Sequence, residues 1–292
     1  MLEIRIDRKC YPDRGGRPHV ALSGLNLAVQ RGEFVCVVGP SGCGKSTLLN
    51  IVGGLDRDME GWVAMNGAFP EDVGFMFQEP RLMPWMSVLD NVLLVAREGA
   101  ASEGDAARQR ERAIALLRAM ELGDVLDAWP ARLSGGMMRR VALARAFMNE
   151  PELLLMDEPF VSLDTPTANR LREMLVEQWQ RCGASVLFVT HDLREALALA
   201  DRVCFLSAAP GRVVLDLPVD LPRPRDAAAP AVDRLYQALL ARHPELLGGL
   251  ASAGSGAGGF GGRNVPAGDA LTTGAGARAS ATGGRPTRGV AQ

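Results

Sequence analysis

This chain predicts an α/β fold with a helical block set into it, on three observations. Two short, wholly apolar runs, residues 34–38 and 153–156, have the form of strands buried on both faces. The first leads into a glycine-rich turn and a helix start, and the second ends in two carboxylates. Between them, residues 87–148 carry apolar side chains at helical spacing: Leu89, Val92, Leu93 and Ala96, then Val141, Leu143, Ala144 and Phe147.

From the start of the chain, residues 1–7 alternate apolar and charged side chains, as a half-buried strand does. Strands follow at 22–29 and 34–38, joined by the Arg31-Gly32-Glu33 turn. A helix over 46–52 stops at Gly53-Gly54, and short strands are expected at 61–66 and 73–77. The helical block is interrupted at 99–104 and 129–136. Strand and helix then alternate: strand 153–156, helix 167–181, strand 185–190, helix 193–200, strand 203–206. After residues 212–217, Pro218, Pro222 and Pro224 lead to an amphipathic helix near 232–241. Residues 248–292 are rich in Gly, Ala and Ser; they bury too little apolar surface to offset their ordering entropy, and a disordered tail is expected. The expected layout is one domain over 1–226 with a helical subdomain at about 87–149, a C-terminal helical segment at 227–247, and the tail.

Composition narrows the function. A net charge of −2 gives no cationic face of the kind phosphate-backbone binding needs, so no nucleic-acid partner is expected. The five cysteines, Cys10, Cys36, Cys43, Cys182 and Cys204, form no CxxC pair and read as reduced thiols of a cytosolic protein. The first residues lack the apolar core of a signal peptide, and no apolar run reaches the roughly 18 residues of a membrane span.

Residues Gly39 to Thr47 match GxxxxGK[ST] and lie between an apolar strand and a helix start, the context that gives the motif meaning. Gly39, Ser41, Gly42, Cys43 and Gly44 lie in a turn whose N–H groups form a nest for phosphate oxygens at a positive helix end. Lys45 is expected to reach the β- and γ-phosphates, Ser46 to ligate Mg²⁺, and Thr47 to add a phosphate contact. Asp157 and Glu158 end a buried-type strand, at the carboxyl edge where open α/β sheets hold their ligands. Asp157 suits the Mg²⁺ sphere, and Glu158 suits a base acting on attacking water. His191 follows the apolar run 185–190 and belongs at the same edge, whereas His19 and His243, beside prolines, read as loop residues.

Leu133-Ser134-Gly135-Gly136-Met137, at a predicted helix N-terminus, completes an order of motifs: phosphate loop, Gln78, this signature, Asp157-Glu158, Ser162-Leu163-Asp164 and His191. Over about residues 1–225 the chain resembles the ABC transporter ATPases. The resemblance implies a phosphate-loop NTPase core of ABC type with an antiparallel β subdomain and a helical subdomain. It also implies ATP hydrolysis with Mg²⁺. It gives Tyr11 an adenine-stacking role, Gln78 a Mg²⁺- and water-sensing role, Asp164 a place at a dimer seam, and His191 a contact to the γ-phosphate. Ser134, Gly135 and Gly136 would form a second anion-binding helix end serving the ATP of a partner copy, so a homodimer or a paired ABC subunit is expected. Met137 and Arg139 stand where glutamines are usual in the family.

Such a methionine resembles the nitrate, sulfonate and taurine importer branch, as do residues 78–85, 207–212 and 218–226. That branch implies an importer with integral membrane permease subunits and an external solute-binding protein, and a peripheral position on the cytoplasmic face of the bacterial inner membrane. Nitrate, sulfonate, taurine, bicarbonate and thiamine-precursor pyrimidines are the solutes it leaves open. A soluble ABC ATPase of DNA repair or translation is the alternative; the first would carry a long coiled-coil insertion and the second usually two cassettes, and the sequence has neither. The apolar residues Leu82 to Trp85 suit the docking of a helix from a membrane subunit.

Overall fold

The computed structural model describes residues 1–12, 16–96 and 103–244. The expected tail at 248–292, the last residues of the 227–247 segment, and residues 99–102 of the first helical interruption lie outside the described residues. The described residues belong to one compact unit.

Two sheets carry the fold. Strands β1 (Leu2–Pro12), β2 (Pro18–Val29) and β4 (Glu60–Met65) form an antiparallel sheet in the order β2-β1-β4. The second sheet has six strands: β3 (Phe34–Val38), β5 (Val73–Met76), β6 (Leu153–Asp157), β7 (Ser185–Thr190), β8 (Arg202–Leu206) and β9 (Val213–Pro218). Their order is β5-β6-β7-β3-β8-β9, parallel except for β9, which runs against β8.

The unbroken apolar runs have a direct cause, since the six-stranded sheet is covered on both faces. Phe34, Cys36 and Val38 of β3 point into one core and Val35 and Val37 into the other, the strand's period of two dividing its side chains between them. The first core is shared with α2 (Val88–Leu93), α3 (Glu103–Ala119), α4 (Gly135–Phe147), α5 (Thr165–Cys182), α6 (Leu193–Leu199) and α7 (Pro230–Arg242). The second lies between the sheet, α1 (Lys45–Val52) and the antiparallel sheet.

Two readings are corrected. His19 lies in a strand, paired with Tyr11 across β2 and β1, because the pairing of this hairpin extends out to Pro12 and Pro18, the latter being the proline that marked a loop. Gly104 lies inside α3, so the first interruption of the helical block ends before it.

Candidate active site

Strand order assembles the site. Four neighbours, β5, β6, β7 and β3, deliver at their carboxyl ends Gln78, Asp157 with Glu158, His191, and the turn beginning at Gly39. Parallel strands lie about 4.8 Å apart, so these groups follow one another along a single edge. The registers level them: Met76 is opposite Met156, Asp157 opposite Val189, and Val38 opposite Thr190.

The turn from Gly39 wraps the N-terminus of α1. Gly44 caps the helix with φ of +99°, and a Cβ there would stand 2.5 Å from Leu22 Cδ2 and 3.0 Å from the Ala21 carbonyl. Only glycine meets both demands. Lys45 is buried, and its ammonium donates to the carbonyls of Gly39 (2.8 Å) and Pro40 (3.0 Å). Its charge is thus held inside the turn whose N–H groups it accompanies. Ser41, Gly42 and Ser46 are exposed, Thr47 is half-buried and Cys43 is fully buried.

The Ser46 hydroxyl lies beside the Asp157 carboxyl, bringing the start of α1 to the end of β6. Burial pushes the Asp157 carboxyl above its ordinary range; the Ser46 contact opposes this and the neighbouring Glu158 charge adds to it. Two hard oxygen donors side by side, one of them a carboxylate that burial penalises, fit a small divalent cation. Glu158 adopts a left-handed backbone (φ +44°), unusual for a non-glycine residue and costing on the order of 1 kcal/mol. Its N–H donates to the Val189 carbonyl at 2.9 Å, and its Oε2 lies 2.9 Å from Nδ1 of His191. The two residues face each other across adjacent strand ends.

His191 is held from behind. Thr190 donates its hydroxyl to Glu195 (2.7 Å) and accepts from the N–H of Asp192 (3.0 Å), while Arg172 of α5 donates to the same Glu195 (2.7 Å). Sequence reasoning missed this buried support, since nothing in the order of residues shows that α5 and α6 meet there.

Tyr11 ends β1. Its hydroxyl donates to Asp56 at 2.7 Å and also contacts Thr47 of the phosphate turn. Lys9, only 2% exposed, donates to the same Asp56 at 2.8 Å and lies 4.6 Å from the Tyr11 ring centre. Burial works to raise the Asp56 carboxyl, but hydrogen bonds from Lys9 and Tyr11 hold it below its ordinary value. Lys9 and Asp56 were missed for a clear reason. Even-numbered residues of β1 face inward as far as Ile6, then irregular pairing shifts the phase and turns Lys9 inward.

Ser134 caps α4, its hydroxyl accepting from the N–H of Met137 at 3.2 Å, and Asp164 caps α5, accepting from Thr167 at 3.0 Å. The two caps are linked at Gly136, where a Cβ would come within 2.6 Å of Thr167 Cγ2. Gln78 has an exposed side chain beside this edge. The structure thus brings Gln78, Asp157, Glu158, His191 and the phosphate turn to one edge, with Tyr11 beside Thr47. Ser134, Gly135, Gly136 and Asp164 stand at helix N-termini that face outward, Gly136 half-buried and the rest exposed.

Residues 22–161 match the family model described as ABC transporter. The chain is 48% identical over 236 residues to the aliphatic sulfonates import ATP-binding protein SsuB 2 of Burkholderia cenocepacia, across 80% of this chain and 83% of that protein. It is 42% identical over 245 residues to the aliphatic sulfonates import ATP-binding protein SsuB of Bacillus licheniformis, across 82% and 92%. Among solved structures it resembles a dimeric ATP-binding cassette in a post-hydrolysis state bound to ADP and Pi, with TM-score 0.66 and 33% identity, across 76% of this chain and all of that one.

Proposed function

Since this chain belongs to the ABC transporter family of ATP-binding subunits, we propose that it hydrolyses ATP, as a dimer, to drive solute import through membrane permease subunits. The observation that carries this reading is the meeting of Gln78, Asp157, Glu158 and His191 with the phosphate turn at the carboxyl ends of four adjacent strands.

In this reading the N–H groups of residues 39–47 and the Lys45 ammonium bind the ATP phosphates, Lys45 exchanging its carbonyl partners for phosphate oxygens. Tyr11 stacks on adenine. Ser46, Asp157 and Gln78 would hold a Mg²⁺ ion, which would supply charge neutralisation at the transferring phosphoryl group. Glu158 accepts a proton from the attacking water at Oε2. His191, hydrogen-bonded to that oxygen through Nδ1, orients the carboxylate and contacts the γ-phosphate. Ser134, Gly135 and Gly136 close the site of the partner copy, and Asp164 sits at the seam. The related cassette solved as a dimer supports this arrangement.

Among the described residues no helix is long and apolar enough to cross a membrane; the relatives named as import ATP-binding proteins support spans on other chains, with this one peripheral on the inner membrane's cytoplasmic face. The docking surface is the groove of about 480 Å³ that includes Phe77, Arg81, Met83, Val95 and Arg145, continuous in sequence with Leu82, Pro84 and Trp85. Two relatives named as importers of aliphatic sulfonates make that class the proposed solute, delivered by an external binding protein.

The test is Glu158→Gln. Turnover should fall by about 10²–10⁴-fold while ATP binding persists and the protein elutes as a dimer with Mg-ATP. Undiminished turnover, or a monomer, would count against the mechanism. In vesicles carrying the permease, loaded binding protein should stimulate ATPase activity with an alkanesulfonate and not with nitrate.

A further inference from the structure

Arg139 departs from the family's usual glutamine, and its contacts are specific. It lies one turn into α4, behind the Ser134 cap, and is 8% exposed. No carboxylate partner is found for it among the described residues. Its fork instead donates to three backbone carbonyls: Nη1 to Gln78 (2.9 Å) and Pro159 (2.6 Å), and Nη2 to Val161 (2.7 Å). A buried cation satisfied only by carbonyls is costly unless they are well placed. These three come from the two loops that carry Gln78 and Glu158. Pro159 and Val161 lie between two left-handed residues, Glu158 (φ +44°) and Ser162 (φ +63°). Further along α4, Arg145 donates to the carbonyls of Pro80 (2.7 Å) and Arg81 (2.9 Å), so the helix grips the Gln78 loop a second time.

We propose that Arg139 is a positioning residue that holds the strained turn after Glu158 and the Gln78 loop in register with α4, so that the helix end facing a partner's nucleotide and this chain's own general base move as one body. The inference rests on Glu158 being the base. Both linkages run through a rigid helix and one planar, bidentate-capable group, which neither glutamine nor lysine reproduces. Loss of the fork frees the turn to relax, and misplacement of a base by about 1 Å costs on the order of 10²-fold in rate. The phosphate turn is not touched by Arg139, so ATP affinity measured without Mg²⁺, where Gln78 has no ion to hold, is insulated from the change.

The experiment compares Arg139→Met and Arg139→Lys with the unmodified protein, and repeats Arg139→Met in the Glu158→Gln background. Expected are ATP dissociation constants, measured without Mg²⁺, within about twofold of the parent's, a kcat lowered by about 10–10²-fold, an intermediate loss for lysine, and no further loss when Glu158 is already glutamine. Lysine keeps the charge and guards against a methionine variant that fails to fold. Parental kcat in folded, ATP-binding variants would overturn the proposal, as would a kcat loss matched by an equal loss of ATP affinity. An equal loss in both backgrounds would overturn it too, because Arg139 would then act independently of Glu158. Parental turnover in Glu158→Gln alone would instead remove the general-base assignment beneath it, so the two failures are distinct.

Discussion

Asp157 shows how a single residue is set against the stability of the fold. Burial raises its pKa in the folded chain more than the Ser46 hydroxyl lowers it. A raised pKa contributes stability that is fully present below the unfolded value, about 3.9, and is lost as pH rises through the folded value. At neutral pH the ionised carboxylate is therefore a net cost in the nucleotide-free protein. Asp157→Asn should raise the melting temperature near pH 7.5, and the gain should shrink as pH falls toward about 4. A lower melting temperature for the variant at neutral pH would refute this. Most individual site residues were legible from motif and spacing, because a phosphate nest or a strand-end carboxylate depends on immediate neighbours. Lys9 and Asp56 were not, since they lie 47 positions apart and a phase shift in β1 decides which way the lysine points.

Elements act here mainly through what their ends present. The loop after β5 joins a site residue, Gln78, to the apolar cluster Leu82 to Trp85, and Trp85 is 67% exposed. Asn91 of α2 fixes that loop: its side chain accepts from the N–H of Met83 (2.7 Å) and donates to the carbonyls of Met83 and Met86 (3.2 Å each). A large indole left in solvent on a well-held loop suits a partner's surface. Trp85→Ala should leave the ATPase activity of the isolated chain unchanged and reduce co-purification with the permease by at least tenfold, the loss expected when an aromatic anchor worth roughly 2 kcal/mol is removed. Undiminished co-purification would place the docking surface elsewhere. The helices of the block were legible because their apolar residues recur at helical spacing; the contacts that bind α4 to two loops were not, because carbonyl acceptors carry no side-chain signature in a sequence.

At the scale of the whole molecule, each proposed active site needs two copies. Ser134→Arg and Lys45→Ala variants should each be nearly inactive alone. Mixed, a Ser134→Arg copy supplies an intact phosphate turn and a Lys45→Ala copy an intact signature, so a mixed dimer recovers one working site. Turnover in the mixture should rise well above either variant alone, and its failure to do so would show that the sites are not shared.

The fold class, the phosphate turn, the paired strand-end carboxylates and the family were legible in the sequence, because each depends on local order: buried runs, a glycine pattern, a strand ending in Asp157 and Glu158. Tertiary structure alone decided that β7 lies between β6 and β3, which brings His191 to Glu158, and that Arg139 reaches three carbonyls on two distant loops. Strand order and buried polar contacts between remote segments follow from how the chain packs in three dimensions, and residue spacing along it does not encode them.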